Sequence, residues 1–367
     1  MPFYLKHNFN PDFDFNDLRP VKLDDGSVDH YNLGYTQNVL KGQVLAEWRE
    51  VTAEEAQALD SRFIYDSIQN LVGKNCFVPT AKPNQIVAAA NGFVFYLDGL
   101  INVKKILNVR RSVDSRTGHI AFVGDVIVHK DIKAGFEVRG QNIRVMGGIE
   151  SACTVVAGAS LVVDRGVKGG GTSLLRAKEN IKLDFCENAE LRANKILLDT
   201  ASLHCDLYAS QGLAVQGKLI GGSCYTNGSI FVGRQLGGGI STITSLVMGF
   251  HPKLIAKKME IEQELEEKEH ALFVLEAQMR KIPALNENDE EYRSLVADVA
   301  IIRGHLQKIR KEITQRLNLE AKVVVPGEVR PGVLINICGV ELKVNDFLQD
   351  VRFYLEGRKI KWQGPAL

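Results

Sequence analysis

A short apolar strand recurs about every 17 residues between Gly124 and Gly239. The copies are Val126-Ile127-Val128, Ile143-Arg144-Val145, Leu161-Val162-Val163, Ile181-Lys182-Leu183, Ile196-Leu197-Leu198, Leu213-Ala214-Val215 and Ile230-Phe231-Val232. In the first copies a finer beat passes through Val126, Ile132, Val138, Ile143, Ile149, Val155, Leu161 and Val167, five or six residues apart. That is three short strands per turn of a coil. A strand alternates its side chains between two faces, so the first and third residues of each copy point the same way. The interior is therefore assigned to Val126, Val128, Ile143, Val145, Leu161, Val163, Ile181, Leu183, Ile196, Leu198, Leu213, Val215, Ile230 and Val232. One turn cannot close a core, but stacked turns can, because each backbone pairs with the coil above and below. At roughly 2 kcal/mol per buried aliphatic side chain, before ordering entropy, a handful of turns suffices. A β-sandwich also spaces its strands closely, yet it has no reason to keep the repeat length constant.

The repeat is interrupted near Pro252, where the period changes from strand to heptad. Leu254, Ile261, Leu265, Leu272, Leu275, Met279 and Ile282 form one seam, with Lys258 and Lys268 as polar breaks. Tyr292, Leu295, Val299, Ile302, Leu306, Ile309 and Ile313 form a second. The arms are equally long, about 30 residues or ~45 Å each. Equal arms around one tight link imply an antiparallel hairpin that returns the chain to where it left. The coil then resumes at Lys322-Val323-Val324-Val325. Phe353-Tyr354-Leu355 with Ile360 and Trp362 around Glu356-Gly357 predict a closing hairpin whose aromatics plug the end.

Residues 1–95 do not share the repeat and read as a small α+β domain. Thr52-Ala53-Glu54-Glu55 is a capping box, and Phe63, Ile64, Ile68 and Leu71 form the expected buried stripe of a helix stopped at Gly73. Asp12, Asp14, Asp24, Asp25 and Asp29 lack the spacing of a calcium loop. Phe93–Leu97, the Asp98-Gly99 turn and Leu100–Val103 predict a lead-in hairpin. The expected organisation is thus 1–95 N-terminal domain, 96–250 β-solenoid with its lead-in hairpin, 251–319 antiparallel helical hairpin, and 320–367 final turns with a closing hairpin. The fold class is mainly β with an α insertion, a single-stranded β-helix carrying a coiled-coil hairpin.

Lys and Arg (45) nearly balance Asp and Glu (44) for a net charge of +1, so no global field favours nucleic acid or an anionic membrane. No apolar run reaches the ~20 residues that span a bilayer, and Met1–Lys6 lacks a signal peptide's apolar block, so a cytoplasmic location is expected. Six cysteines include no C-x-x-C pair. Cys186, Cys205 and Cys224 are spaced by 19 but lie at different phases of their turns, which argues against a metal ladder. His204-Cys205-Asp206 reads as alternating strand residues. In Gly166-Val167-Lys168-Gly169-Gly170-Gly171-Thr172-Ser173 the lysine precedes the glycines, the wrong order for a phosphate loop.

Val113-Asp114-Ser115-Arg116-Thr117-Gly118-His119-Ile120-Ala121-Phe122, Gly124-Asp125-Val126-Ile127-Val128, Gly166-Val167-Lys168-Gly169 and Gly217-Lys218-Leu219-Ile220-Gly221-Gly222, with a coiled coil before the last turns, resemble the bacterial flagellar assembly protein A family. The likeness runs from about Ala90 onward. The pattern departs at Ala159-Ser160, where the family more often has Gly-Asn or Gly-Asp, and across the first 90 residues. The resemblance implies a separate N-terminal domain, a right-handed solenoid and a helical hairpin, and it supplies no catalytic residue.

The architecture therefore points to a non-enzymatic scaffold without cofactor or metal, and the resemblance implies a link to flagellar assembly or to cell-surface or polar organisation. It would bind other proteins through the hairpin or a solenoid face. Asn286, Glu287, Asn288, Asp289, Glu290 and Glu291 at the tip are the candidate contacts, and a homodimer is left open. Two alternatives compete. One is a hexapeptide-repeat acyltransferase with His129 or His204 as base, which the six-residue beat favours and the long insertion opposes. The other is a rod that self-assembles end to end, which the terminal aromatics oppose.

Overall fold

A computed structural model describes residues 2–18, 20–22, 28–279 and 290–365. The chain forms two compact units, Met1–Leu191 and Arg192–Leu367. Both are built on one β-solenoid plan of about eight turns in all.

In the first unit the five- and six-residue beat becomes three columns of parallel pairing. Leu107, Val126, Ile143 and Leu161 stack in one. Val113, Ile132, Ile149 and Val167 stack in the second, and Ile120, Val138, Val155 and Leu175 in the third. Each of these twelve side chains is buried. Polar residues at the corners form their own ladder: Asp125 Oδ1 accepts from the Asn142 backbone N–H at 3.0 Å, and Asn142 Oδ1 accepts from the Ser160 N–H at 3.3 Å.

The first turn has no predecessor to satisfy its backbone, and the N-terminal region supplies the missing groups. Asn38 Nδ2 donates to the Ala121 carbonyl at 2.7 Å, and its Oδ1 accepts from the Val123 N–H at 3.2 Å. The Tyr31 carbonyl accepts from the His119 N–H at 2.6 Å, while the Tyr31 ring lies against His119 and Phe136. Gly118, at φ +64, is needed because a Cβ there would strike the Tyr31 carbonyl.

The N-terminal region is mainly antiparallel sheet, in the order Ile64–Tyr65, Phe3–His7, Val44–Glu50, Gln85–Ala88, Cys76–Phe77. Helix α1 (Ala53–Gln57) starts on the expected capping box, with Thr52 Oγ1 accepting from the Glu55 N–H at 3.2 Å and Glu55 Oε2 from the Thr52 N–H at 2.8 Å. It ends after 5 residues instead of continuing to Gly73. Asp60 caps a 3-10 turn over Ser61–Phe63, and Ile64 and Tyr65 then pair with Tyr4 and Phe3. A β-branched and an aromatic residue beside an open strand are better placed in the sheet than in a helix. Phe63 and Leu71 are buried, Ile64 is half-buried and Ile68 is exposed. The Gly92–Leu97 and Leu100–Lys104 hairpin turns through Asp98 and Gly99, both at positive φ. Its Val94, Ile101 and Val103 share a core with Leu5, Leu45 and Trp48 of the sheet.

In the second unit Leu213, Ile230 and Val323 stack in successive turns, although the whole helical segment separates the last two in sequence. Leu207, Cys224, Leu246 and Ile335 form a parallel column. The insertion thus leaves the coil in mid-turn and returns to it. Of the assigned interior positions, all fourteen from Val126 to Val232 are buried.

Candidate functional site

The feature this solenoid adds to its stacked turns is the pair of helices α2 (Pro252–Met279) and α3 (Glu290–Gln315). Proline is well placed to open α2, since its fixed φ suits the first turn and its missing N–H has no role there. The His251 carbonyl accepts from the Leu254 and Ile255 N–H groups at 2.9 and 3.2 Å. The two helices lie antiparallel. Val299, Ile302, Leu306, Ile309 and Ile313 of α3 are buried, as is Leu275 of α2. Ion pairs among the described residues lace the arms together, including Lys268 to Asp298 at 2.8 Å, Arg303 to Glu269 at 2.8 Å and Arg310 to Glu262 at 2.9 Å. Ile282, expected in the first seam, lies outside the described residues.

The root joins the helices to the solenoid. The Asn318 N–H donates to the Gly249 carbonyl at 3.0 Å, and Asn318 Nδ2 donates to the Asn227 carbonyl at 2.8 Å. Cys338 N–H donates to the Met248 carbonyl at 2.9 Å, and its Sγ lies 3.3 Å from the Asn318 carbonyl. Gly249 is required at φ +79, where a Cβ would meet Cys338 Sγ. His251 Nδ1 is buried without a hydrogen-bond partner. Burial first, then Lys253 and Arg316, lower its pKa below the ordinary 6.5, with Glu312 opposing. Sequence reasoning missed this root. Only Pro252 signalled it, because the contacts join residues from four separate segments.

The hairpin also carries apolar side chains outside its seam. Phe273 on α2 is 68% exposed and Ile301 on α3 is 57% exposed, and beside Phe273 a shallow groove is lined by Glu266, Glu267 and His270. Glu290 and Glu291 open α3 as exposed acids. Asn286, Glu287, Asn288 and Asp289 lie outside the described residues.

The other residues singled out are dispersed. His129 Nε2 is 3.2 Å from Asn108 Oδ1. His204 adopts φ +53 and packs over Gly221, where a Cβ would meet its ring. Cys224 pairs in register with Leu207, two residues along from Cys205, so these thiols do not form a column. Both are buried, and burial raises the Cys224 pKa. The glycine run is a solenoid corner inside the Leu161–Ala177 strand. Gly170 and Gly171 are at positive φ there, and Ser173 Oγ is buried against the Cys153 N–H and the Glu150 carbonyl, both at 3.1 Å. Asp12, among the scattered N-terminal acids, is held bidentate by Arg62 at 2.8 and 2.7 Å, while Asp24 and Asp25 lie outside the described residues. Among the described residues no group of three His, Cys, Asp or Glu side chains could hold a metal ion, and no helix is long and apolar enough to cross a membrane.

Residues 105–360 match the family described as Flagellar Assembly Protein A beta solenoid domain. The chain belongs to the flagellar assembly protein A family. The match begins at the lead into the first parallel strand, Ile106–Val109, and ends within the closing hairpin. The matched span therefore runs across the inserted helices of this chain. No curated protein and no solved structure matches it.

Proposed function

We propose that this chain serves flagellar assembly as a non-catalytic scaffold that binds another protein through α2 and α3. The observation that carries the reading is the exposure of Phe273 and Ile301 on helices whose own seam is already filled by Val299, Ile302, Leu306 and Ile309. Large apolar side chains left outside a satisfied seam are what a helical partner or groove would cover. The acids around Phe273 favour a partner surface with basic residues at its rim. Glu290 and Glu291, exposed in the first turn of α3, extend the same contact.

The test is a strain producing the full chain with Phe273→Glu and Ile301→Glu. Flagella per cell and motility should fall toward the level of a strain lacking the protein, while purified protein keeps its thermal midpoint. Normal flagellation with both substitutions would remove the hairpin from the reading. A thermal shift produced by acyl-coenzyme A would instead favour the transferase alternative.

A further inference from the structure

The solenoid ends on antiparallel strands instead of another parallel turn. Val333–Ile337 reverses through Cys338 and Gly339, both at positive φ, into Val340–Val344, and the two strands pair from Ile337↔Val340 to Val333↔Val344. A two-residue turn fixes the phase of the ladder: the residues flanking it exchange both hydrogen bonds, as does every second pair beyond. Val340, Leu342 and Val344 therefore turn their backbone groups toward Val333–Ile337, and the Gly332 N–H indeed donates to the Val344 carbonyl at 3.0 Å. The N–H and C=O of Glu341 and Lys343 point to the far edge. Among the described residues no strand is registered with that edge.

The free edge is self-complementary. Val340-Glu341-Leu342-Lys343-Val344 opposed antiparallel to a second copy of itself about Leu342 sets Glu341 against Lys343, Lys343 against Glu341 and Val340 against Val344. The pairs that would exchange backbone bonds in this register are the two charged pairs, whose N–H and C=O groups are the free ones. Centring on Glu341 or Lys343 would face like charges. Centring between residues would break the backbone phase. Hydrogen-bond parity and charge thus select one register. The other terminal edge, Lys359–Gln363, carries Lys359 and Lys361 and no acid, the lysine pattern that discourages strand addition. Around the free edge Leu334, Phe347 and Trp362 are exposed, and Leu342 and Trp362 line one small cleft of about 170 Å³. These apolar groups supply area that a single strand pair lacks, since a stable interface buries about 1,200 Å² or more.

We propose that Val340–Val344 is a homodimer edge, two copies of this chain adding strand to strand about Leu342. This is independent of what the hairpin binds. Light scattering on the eluting full-length chain should show a dimer in concentration-dependent equilibrium. Glu341→Lys and Lys343→Glu should each weaken association about tenfold or more, because each replaces both cross-strand attractions with repulsions. Mixing the two single variants should restore a dimer, as should the double exchange in one chain. Both side chains are exposed, and circular dichroism checks that the fold is unchanged. A wild-type chain that stays monomeric at every concentration overturns the proposal. So does a dimer indifferent to both reversals, or single variants that fail to associate when mixed.

Discussion

His7 shows how one residue can make stability depend on pH. Its ring sits edge-on to Phe9, Phe63 and Tyr96 at 5.1, 4.4 and 5.5 Å, and its Nε2 is buried without a hydrogen-bond partner. Burial is the main cause of a pKa lowered from 6.5 to about 4, with Asp12 opposing and Arg62 assisting. Between those values the unfolded chain binds the proton and the folded one does not, so stability is lost as pH falls through the window and changes no further below about 4. The ring is partly exposed, so the effect is discounted to roughly 1–2 kcal/mol. His7→Phe should flatten the pH dependence of N-terminal unfolding, followed by urea titration at pH values inside and above the window. At Leu161, fully buried between turns, truncation to Ala should cost about 2–5 kcal/mol. Arg144→Ala, which removes only a half-exposed pair with Asp164, should cost under about 1 kcal/mol. Equilibrium denaturation of the two variants separates burial from surface charge.

At the scale of elements, the hairpin and the stacked turns are held by different forces. The helices depend on one seam, so Leu306→Ala should open α2 and α3 at a cost of about 2–4 kcal/mol. Hydrogen exchange should report faster amide exchange in both helices and unchanged rates in the Leu213–Ile230–Val323 stack. The cross-helix ion pairs are half-exposed, and a double-mutant cycle on Glu269 and Arg303 should give a coupling under about 1 kcal/mol. These charges set the pairing of the arms more than they stabilise it. The short α1 teaches the same lesson from the other side: its capping box formed as the sequence indicates, but a cap satisfies two N–H groups and cannot hold Ile64 and Tyr65 against the pull of an adjacent strand edge.

For the molecule as a whole, a repeat fold predicts that an insertion is dispensable wherever its two ends meet. Gly249 and Asn318 are joined by a backbone hydrogen bond of 3.0 Å, and the turns on either side are already in register across them. Replacing the helices by a short glycine-rich link between these residues should leave a folded solenoid with its β signal intact and a thermal midpoint within a few degrees of the full chain. Loss of cooperative unfolding in that shortened chain would mean that the helices help to hold the turns in place.

The stack and its interior were legible in the sequence because each turn repeats the same local problem about 17 residues later. The answer recurs in period, and an eye for period finds it. The heptads announced the helical hairpin for the same reason. Nothing periodic marks Asn38 and Tyr31 as substitutes for a missing turn, Phe273 as an apolar residue outside its seam, or Asn227, Asn318 and Cys338 as neighbours. Those assignments join segments with no shared rhythm, and the N-terminal sheet overrode a local helical signal for the same reason. Local repetition can be read along a chain, whereas which unsatisfied backbone group meets which distant side chain is decided only when the segments are brought together.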